Sequence, residues 1–330
     1  MSKIPTLEEI VQAVDALALK KRKRARQGRK PRYSDSFIVA LAVYQKLAGF
    51  RYAQQMLTLL RSLGVAVPSP ATFCERKLGL MGQLIQAVRQ LCAQVKATRQ
   101  HLDSKKLSVV DLARAKRAKL AGRYGHDHIH DVSFYGFRLH ALVDDTGQLC
   151  RVLLRGANEH DVRVAPRLLY ELRYTIITAD KGYLSRNLKA ELAPHAVDLV
   201  TPRRRNQLPP PEREQRLYRG HRRIESVFSS LDRLGLAERP YRSTKGFVLH
   251  LYTTLLAFGL SRSALLKLWL DLFRIGVALD QLMPHPVYAP MSWVCIVSPS
   301  AETFSKLVMP LLQEAYEQDV EKHTRREARA

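Results

Sequence analysis

Apolar positions recur at helical spacing through the first hundred residues. In "TLEEIVQAVDALALK" (6–20) Leu7, Ile10, Val11, Val14 and Leu17 share one face behind an acidic first turn, and "DSFIVALAVYQKLAG" (35–49) opens on an aspartate cap and stops at a glycine. The segments "RYAQQMLTLLRSLG" (51–64) and "SPATFCERKLGLMGQLIQAVRQLCAQV" (69–95) continue the pattern, and the short turn at the first of them suits either a helix-turn-helix or an ordinary packed pair. Near residue 100 the period shortens to two. "YGFRLHALVDDTGQLCRVLL" (135–154) alternates Phe137, Leu139, Ala141 and Val143 with Arg138 and His140, turns at Asp144–Gly147 and resumes, which predicts a hairpin. A helix over 161–173, a strand "TIITAD", a helix over 185–194 and a strand over 196–202 follow. Strands first, then alternating helices and strands, predict an α/β layer with a mixed sheet. Beyond the Pro-rich loop "LPPPERE" (208–214) the chain reads as helical to about 282 and ends in a charged tail.

Charge changes the picture next. The 330 residues carry 54 Lys and Arg against 30 Asp and Glu, a net charge of +24, which favours a polyanion such as DNA over an acidic membrane surface. Nine Lys or Arg crowd the thirteen positions "KKRKRARQGRKPR" (20–32), so Lys20, Lys21, Arg22, Lys23, Arg24 and Arg26 are candidate phosphate contacts, with a solvated arm as the plain alternative. The most apolar run, "FVLHLYTTLLAFGL" (247–260), is too short and too polar for a membrane span. Four scattered cysteines without a CxxC pair indicate neither zinc nor disulfides and fit a reducing cytoplasm.

Three acidic residues stand where an apolar pattern does not explain them. Asp180 ends the strand "TIITAD", Asp103 lies in the strand expected within "QHLDSKKLSVVD", and Glu225 sits at the edge of the stripe Ile224, Val227, Phe228, Leu231 and Leu234. Two strands and a packed helix can bring such carboxylates together as hard oxygen donors for two Mg2+ ions, which Mn2+ can replace, and two ions suit in-line displacement at phosphorus. Each has a plain alternative: a strand cap, a salt-bridge partner or an exposed helix residue. Asp111, closing "LSVVD", competes with Asp103. His126, His128 and His130 alternate as a strand-borne metal site would, or form a variable loop. Lys181 beside Asp180, and Arg203, Arg204 and Arg205 with Arg213, Arg216 and Arg219, form a basic flank that DNA would neutralise.

The strings "LDSKKLSVVDLARAKRAK", "FYGFRLHALVDDTGQLCRVLLRGANEHDV", "ITADKGYLS", "RRIESVFSSL" and "RSTKGFVLHLYTTLLAFGL" resemble, in that order, the DDE transposases of bacterial insertion sequences, in detail the insertion-sequence-982 family. The resemblance covers roughly residues 35 to 262. It implies an RNase H-like mixed-sheet core over 99–240 with Asp103, Asp180 and Glu225 as metal-binding acids. It also implies a helical, basic DNA-binding region over 1–98 and C-terminal helices over 241–330 that pack on the core. The implied activity is cleavage at the ends of the element and strand transfer into target DNA. The implied partners are double-stranded DNA, as terminal inverted repeats and target, and a second copy of the chain at least, in a cytoplasmic, nucleoid-associated setting without a membrane. Neighbouring families carry Tyr-x2-Arg-x3-Glu-x6-Lys around the glutamate. Here Tyr218 and Glu225 fit, while His221 and Asp232 stand at the Arg and Lys positions, leaving Arg222 and Arg223 as substitutes or as unspecific charge. A nuclease or resolvase that cuts without joining, and a DNA-binding regulator without catalysis, are the rival readings.

Overall fold

The computed structural model describes residues 5–17, 31–127, 131–203, 209–237, 241–262, 282–284, 294–296, 309–310 and 313. Lys20, Lys21, Arg22, Lys23, Arg24, Arg26, His128, His130, Arg204 and Arg205 lie outside the described residues. Pro5–Trp269 form one compact unit, and Leu270–Ala330 with Met1–Ile4 form another.

The first unit opens with five helices: α1 (Leu7–Ala16), α2 (Asp35–Leu47), α3 (Ala53–Ser62), α4 (Pro70–Gly79) and α5 (Met81–Gln94). Their starts follow local chemistry. Thr6 and Glu9 close a capping box on α1, Ser69 caps α4 with Pro70 in its first turn, and Ser34, rather than Asp35, caps α2 by accepting from the Phe37 N–H. Asp35 is freed to pair with Arg76 of α4 at 2.6 Å. Ile38–Val43 of α2 are all buried, so this helix is the centre of the bundle.

The sheet comprises β1 (Arg99–Val110), β2 (Arg123–Asp127), β3 (Val132–Asp144), β4 (Leu149–Gly156), β5 (Thr175–Ala179) and β6 (Val197–Val200), in the order β2–β3–β1–β5–β6, with β4 also paired to β3. Strands β1 to β4 pair antiparallel, whereas β5 is parallel to both β1 and β6. The hairpin, the mixed sheet and its interleaved helices α6 (Asp161–Leu169) and α7 (Arg186–Leu192) agree with the sequence pattern. β2 replaces the loop expected around His126. The order and strand directions are those of an RNase H-like fold.

One face of the sheet is sealed by an apolar cluster that joins Leu102, Leu142, Ile177 and Ala179 to Leu168, Leu169, Leu188 and Leu192 of α6 and α7. Each fully buried Leu or Ile among them contributes about 1.5–3 kcal/mol, so the cluster holds β1 and β5 in register. The other face is covered by α9 (Arg222–Arg233), which packs on β1 and β3, and by α10 (Thr244–Arg262), whose Phe247 stacks on Phe137 of β3 at 4.9 Å. A short helix, α8 (Glu212–Arg219), leads into α9.

The domain boundaries expected at 98/99 and 240/241 do not separate compact units. α10 is apolar all round and packs on α2, α5 and α9, while α5 packs on β4, so the helical region, the sheet and α10 form one unit. In the second unit, Leu282–Pro284 and Val294–Ile296 pair as antiparallel strands where helices were expected. Among the described residues no helix is long and apolar enough to cross a membrane.

Candidate active site

Asp103 lies in the middle of β1, and Asp180 directly follows β5. In the parallel pairing of these strands Leu102 partners Ala179, so the two aspartates occupy the next rung, on strands about 4.8 Å apart. Leu102 and Ala179 enter the apolar cluster, and strand alternation turns both aspartates to the opposite face. That is the face α9 covers. Ile224, Val227, Phe228 and Leu231 anchor the helix, and Glu225, next to Ile224, stays exposed at its edge. Asp111 lies beyond the end of β1 at the start of a 3-10 turn, away from the rung that Asp103 shares with Asp180.

Electrostatics tie the three acids together. Burial, followed by the charges of Asp180, Asp161 and Glu225, pushes the Asp103 carboxyl up to about 7, against the opposing pull of the Ser104 N–H donated to its Oδ1 at 2.7 Å. The Tyr218 hydroxyl, raised first by burial and then by Asp180, Asp103 and Glu225, feels the same group. Among the described residues no group of three or more His, Cys, Asp or Glu side chains is gathered to hold a metal ion. The acids share one neighbourhood without closing into a ligand set. Their chemistry nevertheless fits a divalent ion: the donors are all carboxylate oxygens, and a cation between them would relieve the repulsion felt at Asp103.

Asp161, at the start of α6, is an acid that the strand and helix patterns did not single out. Its Oδ1 accepts from the Ser104 hydroxyl at 3.0 Å, and its carboxylate lies 3.8 Å from the His140 imidazole. The signal was there in "RGANEHDV": an aspartate that opens the helix following a strand and a short loop. His140 in turn bonds the buried Tyr183 hydroxyl at 3.2 Å and is held neutral by burial, at about 4.

The expected DNA contacts divide. Lys181, Arg222 and Arg223 are exposed beside the acids in sequence, and Tyr218 is partly buried. Arg203 is partly buried near Glu214 at 3.5 Å. His221 does not fit that role: it is only 6% exposed, stacks on Tyr218 at 4.9 Å and bonds Thr178. Asp232, at the position where a lysine was expected, is paired with Lys105 of β1 at 2.7 Å, and that lysine also lies over the Phe228 ring. His126 on β2 contacts Asp131 at 3.2 Å and Ser133 at 3.4 Å.

Residues 274–328 match a family of unknown function, DUF6194, and residues 101–260 match the transposase DDE domain. No curated protein matches the chain. The matched span runs from β1 through α10 and holds all three acids in order. The match of residues 101–260 to a transposase DDE domain indicates a metal-dependent DNA-cutting enzyme of the DDE transposase kind.

Proposed function

We propose that the chain is the transposase of an insertion sequence, close to the insertion-sequence-982 type, that frees 3′-hydroxyls at the element ends and joins them to target DNA. Asp103, Asp180 and Glu225 are its metal-holding acids. The observation that carries this reading is the shared rung of Asp103 and Asp180 on neighbouring parallel strands, beneath the helix that bears Glu225. Two divalent ions, Mg2+ in the first instance, would activate the attacking oxygen and stabilise the leaving one. The chain's own residues do the rest. The Ser104 N–H holds one oxygen of Asp103, β5 fixes Asp180 at its end, and the apolar stripe of α9 seats Glu225. Lys181, Arg222 and Arg223 offset the charge of bound phosphates. Synapsis of two ends calls for at least a homodimer.

The experiment is a strand-transfer assay with labelled DNA ends taken from the inverted repeats that flank the coding sequence, in Mg2+, with Asp180→Ala as control. Wild-type protein is expected to cut and join, and the variant to do neither. Ends that are cut and never joined would leave a nuclease. An Asp180→Ala protein as active as wild type would remove the triad.

A further inference from the structure

We infer that Thr178, with His101 and His221, is a positioning hub that fixes the three acid-bearing elements relative to one another. The inference rests on reading Asp103, Asp180 and Glu225 as the metal-holding acids. The three hub residues stand in matching places. His101 precedes Asp103 by two residues on β1, and Thr178 precedes Asp180 by two residues on β5, so each shares a face with its acid. Asp180 keeps an extended backbone (φ −70°, ψ 171°), so the alternation of β5 carries through to it. His221 immediately precedes α9 and stands four residues before Glu225, on the same side of the helix.

These residues meet in one buried chain of hydrogen bonds. His101 and Thr178 are direct partners in the β1–β5 pairing, and the Thr178 hydroxyl lies 2.7 Å from His101 Nδ1 and 3.3 Å from His221 Nδ1. His101 and Thr178 are fully buried, and His221 nearly so. The far nitrogen of His101, Nε2, lies 3.0 Å from Asp145 Oδ1 in the β3–β4 turn, and Arg99 holds that same oxygen at 2.6 Å. Because a carboxylate only accepts, His101 Nε2 is the donor there. The His101 proton held on Nε2 leaves Nδ1 to accept from the Thr178 hydroxyl, and that oxygen in turn faces His221 Nδ1 at 3.3 Å.

Backbone packing supports the same contact. A Cβ on Gly220 would meet His101 Cε1 at 2.8 Å, so only glycine lets the α8–α9 junction close over the imidazole. A polar chain of this kind is a poor choice for packing alone, since a valine would fill the space of Thr178 without burying a hydroxyl. What it supplies is direction. Each bond has one geometry, and together they link β1, β5 and the start of α9, the three elements that carry the acids.

The test compares Thr178→Val, Thr178→Ser and Asp180→Ala on a plasmid that carries the coding sequence with its native flanking DNA. The readouts are cleavage rate, the Mg2+ concentration giving half-maximal cleavage, DNA affinity without metal, and the urea midpoint. Thr178→Val is expected to raise the Mg2+ requirement or lower the rate by roughly 10- to 100-fold, with DNA affinity unchanged, and Thr178→Ser to restore both. If Thr178→Val cuts at the wild-type rate and Mg2+ requirement while Asp180→Ala is inactive, the hub is refuted and the acid site stands. If Asp180→Ala is itself active, the acid site falls and the hub with it. Should Thr178→Val not fold, His221→Phe, which keeps the ring stack on Tyr218 but lacks Nδ1, carries the same expectation and the same refuting result.

Discussion

His250 makes the protein sensitive to acid at a place remote from the acids. It lies on α10, where its Nε2–H donates to the Gly235 carbonyl, just past the end of α9, at 2.7 Å, and its ring meets Tyr241 edge-on at 5.3 Å. Burial first, then the charge of Lys46 on α2, and to a lesser extent that of Lys77 on α4, lower its pKa to about 4, against the smaller pull of the Gly235 bond. An unfolded histidine titrates near 6.5. The folded state therefore refuses a proton that the unfolded state accepts between pH 6.5 and 4, and the stability present above 6.5 is lost as pH falls through that window. At pH 5 the loss from this one residue is about 2 kcal/mol. His140 and His221, both also near 4, act in the same sense, whereas Asp103, raised to about 7, acts in the opposite one. A total pH profile would mix these contributions, so the difference between wild type and His250→Gln is the quantity to measure. Glutamine can still donate to Gly235 and does not titrate. Urea unfolding at pH 8 and pH 5 should show the wild type losing about 2 kcal/mol more than the variant. Parallel losses would refute the assignment of a neutral, buried His250.

Two further outcomes follow from the fold and the site. A Cβ on Gly136 of β3 would lie 2.0 Å from the Leu107 carbonyl oxygen of β1, a backbone clash that no rotamer relieves, so Gly136→Ala should destabilise by about 3 kcal/mol or more, read as a fall in urea midpoint. Chelation with EDTA should abolish cleavage while leaving a gel shift of DNA intact, because phosphate contacts come from basic side chains. That shift should weaken steeply with added salt, and a salt-independent complex would count against the electrostatic reading.

Much of the sheet was legible because it obeys simple periods. The alternation of Phe137, Leu139, Ala141 and Val143, the turn at Asp144–Gly147 and the β-branched run Thr175–Ile177 each predict their strands locally. Asp103, Asp180 and Glu225 stand out in the sequence as exceptions to those periods, and the pairing of β1 with β5 sets the two aspartates on one rung. What stayed hidden depends on contacts between distant segments. That α10 binds α2, α5 and α9 into one unit cannot be read from its own residues, which predict only a helix apolar on all sides. The role of His221 was hidden for the same reason. In sequence it is one more basic residue beside Arg222 and Arg223, and only the closeness of β5 turns it from a surface group into a buried partner of Thr178.

The two faces of the sheet divide the work of packing from that of presenting the acids. On β1, Leu102 enters the apolar cluster and Asp103 the opposite face; on β5, Ala179 and Asp180 divide in the same way. A slip of one residue in either strand would bury a carboxylate in the cluster and expose a core side chain, at a cost far above that of any single surface contact. Hydrophobic burial on one face therefore fixes the register of chemistry on the other. The third acid is placed by other contacts, because the stripe of Ile224, Val227, Phe228 and Leu231 is not directional; Lys105 of β1 pairs with Asp232 near the far end of α9. The bond from His221 to Thr178 is another such contact, formed one helical turn from Glu225. Register from apolar packing and helix position from a buried polar bond are two separate constraints on where Asp103, Asp180 and Glu225 lie.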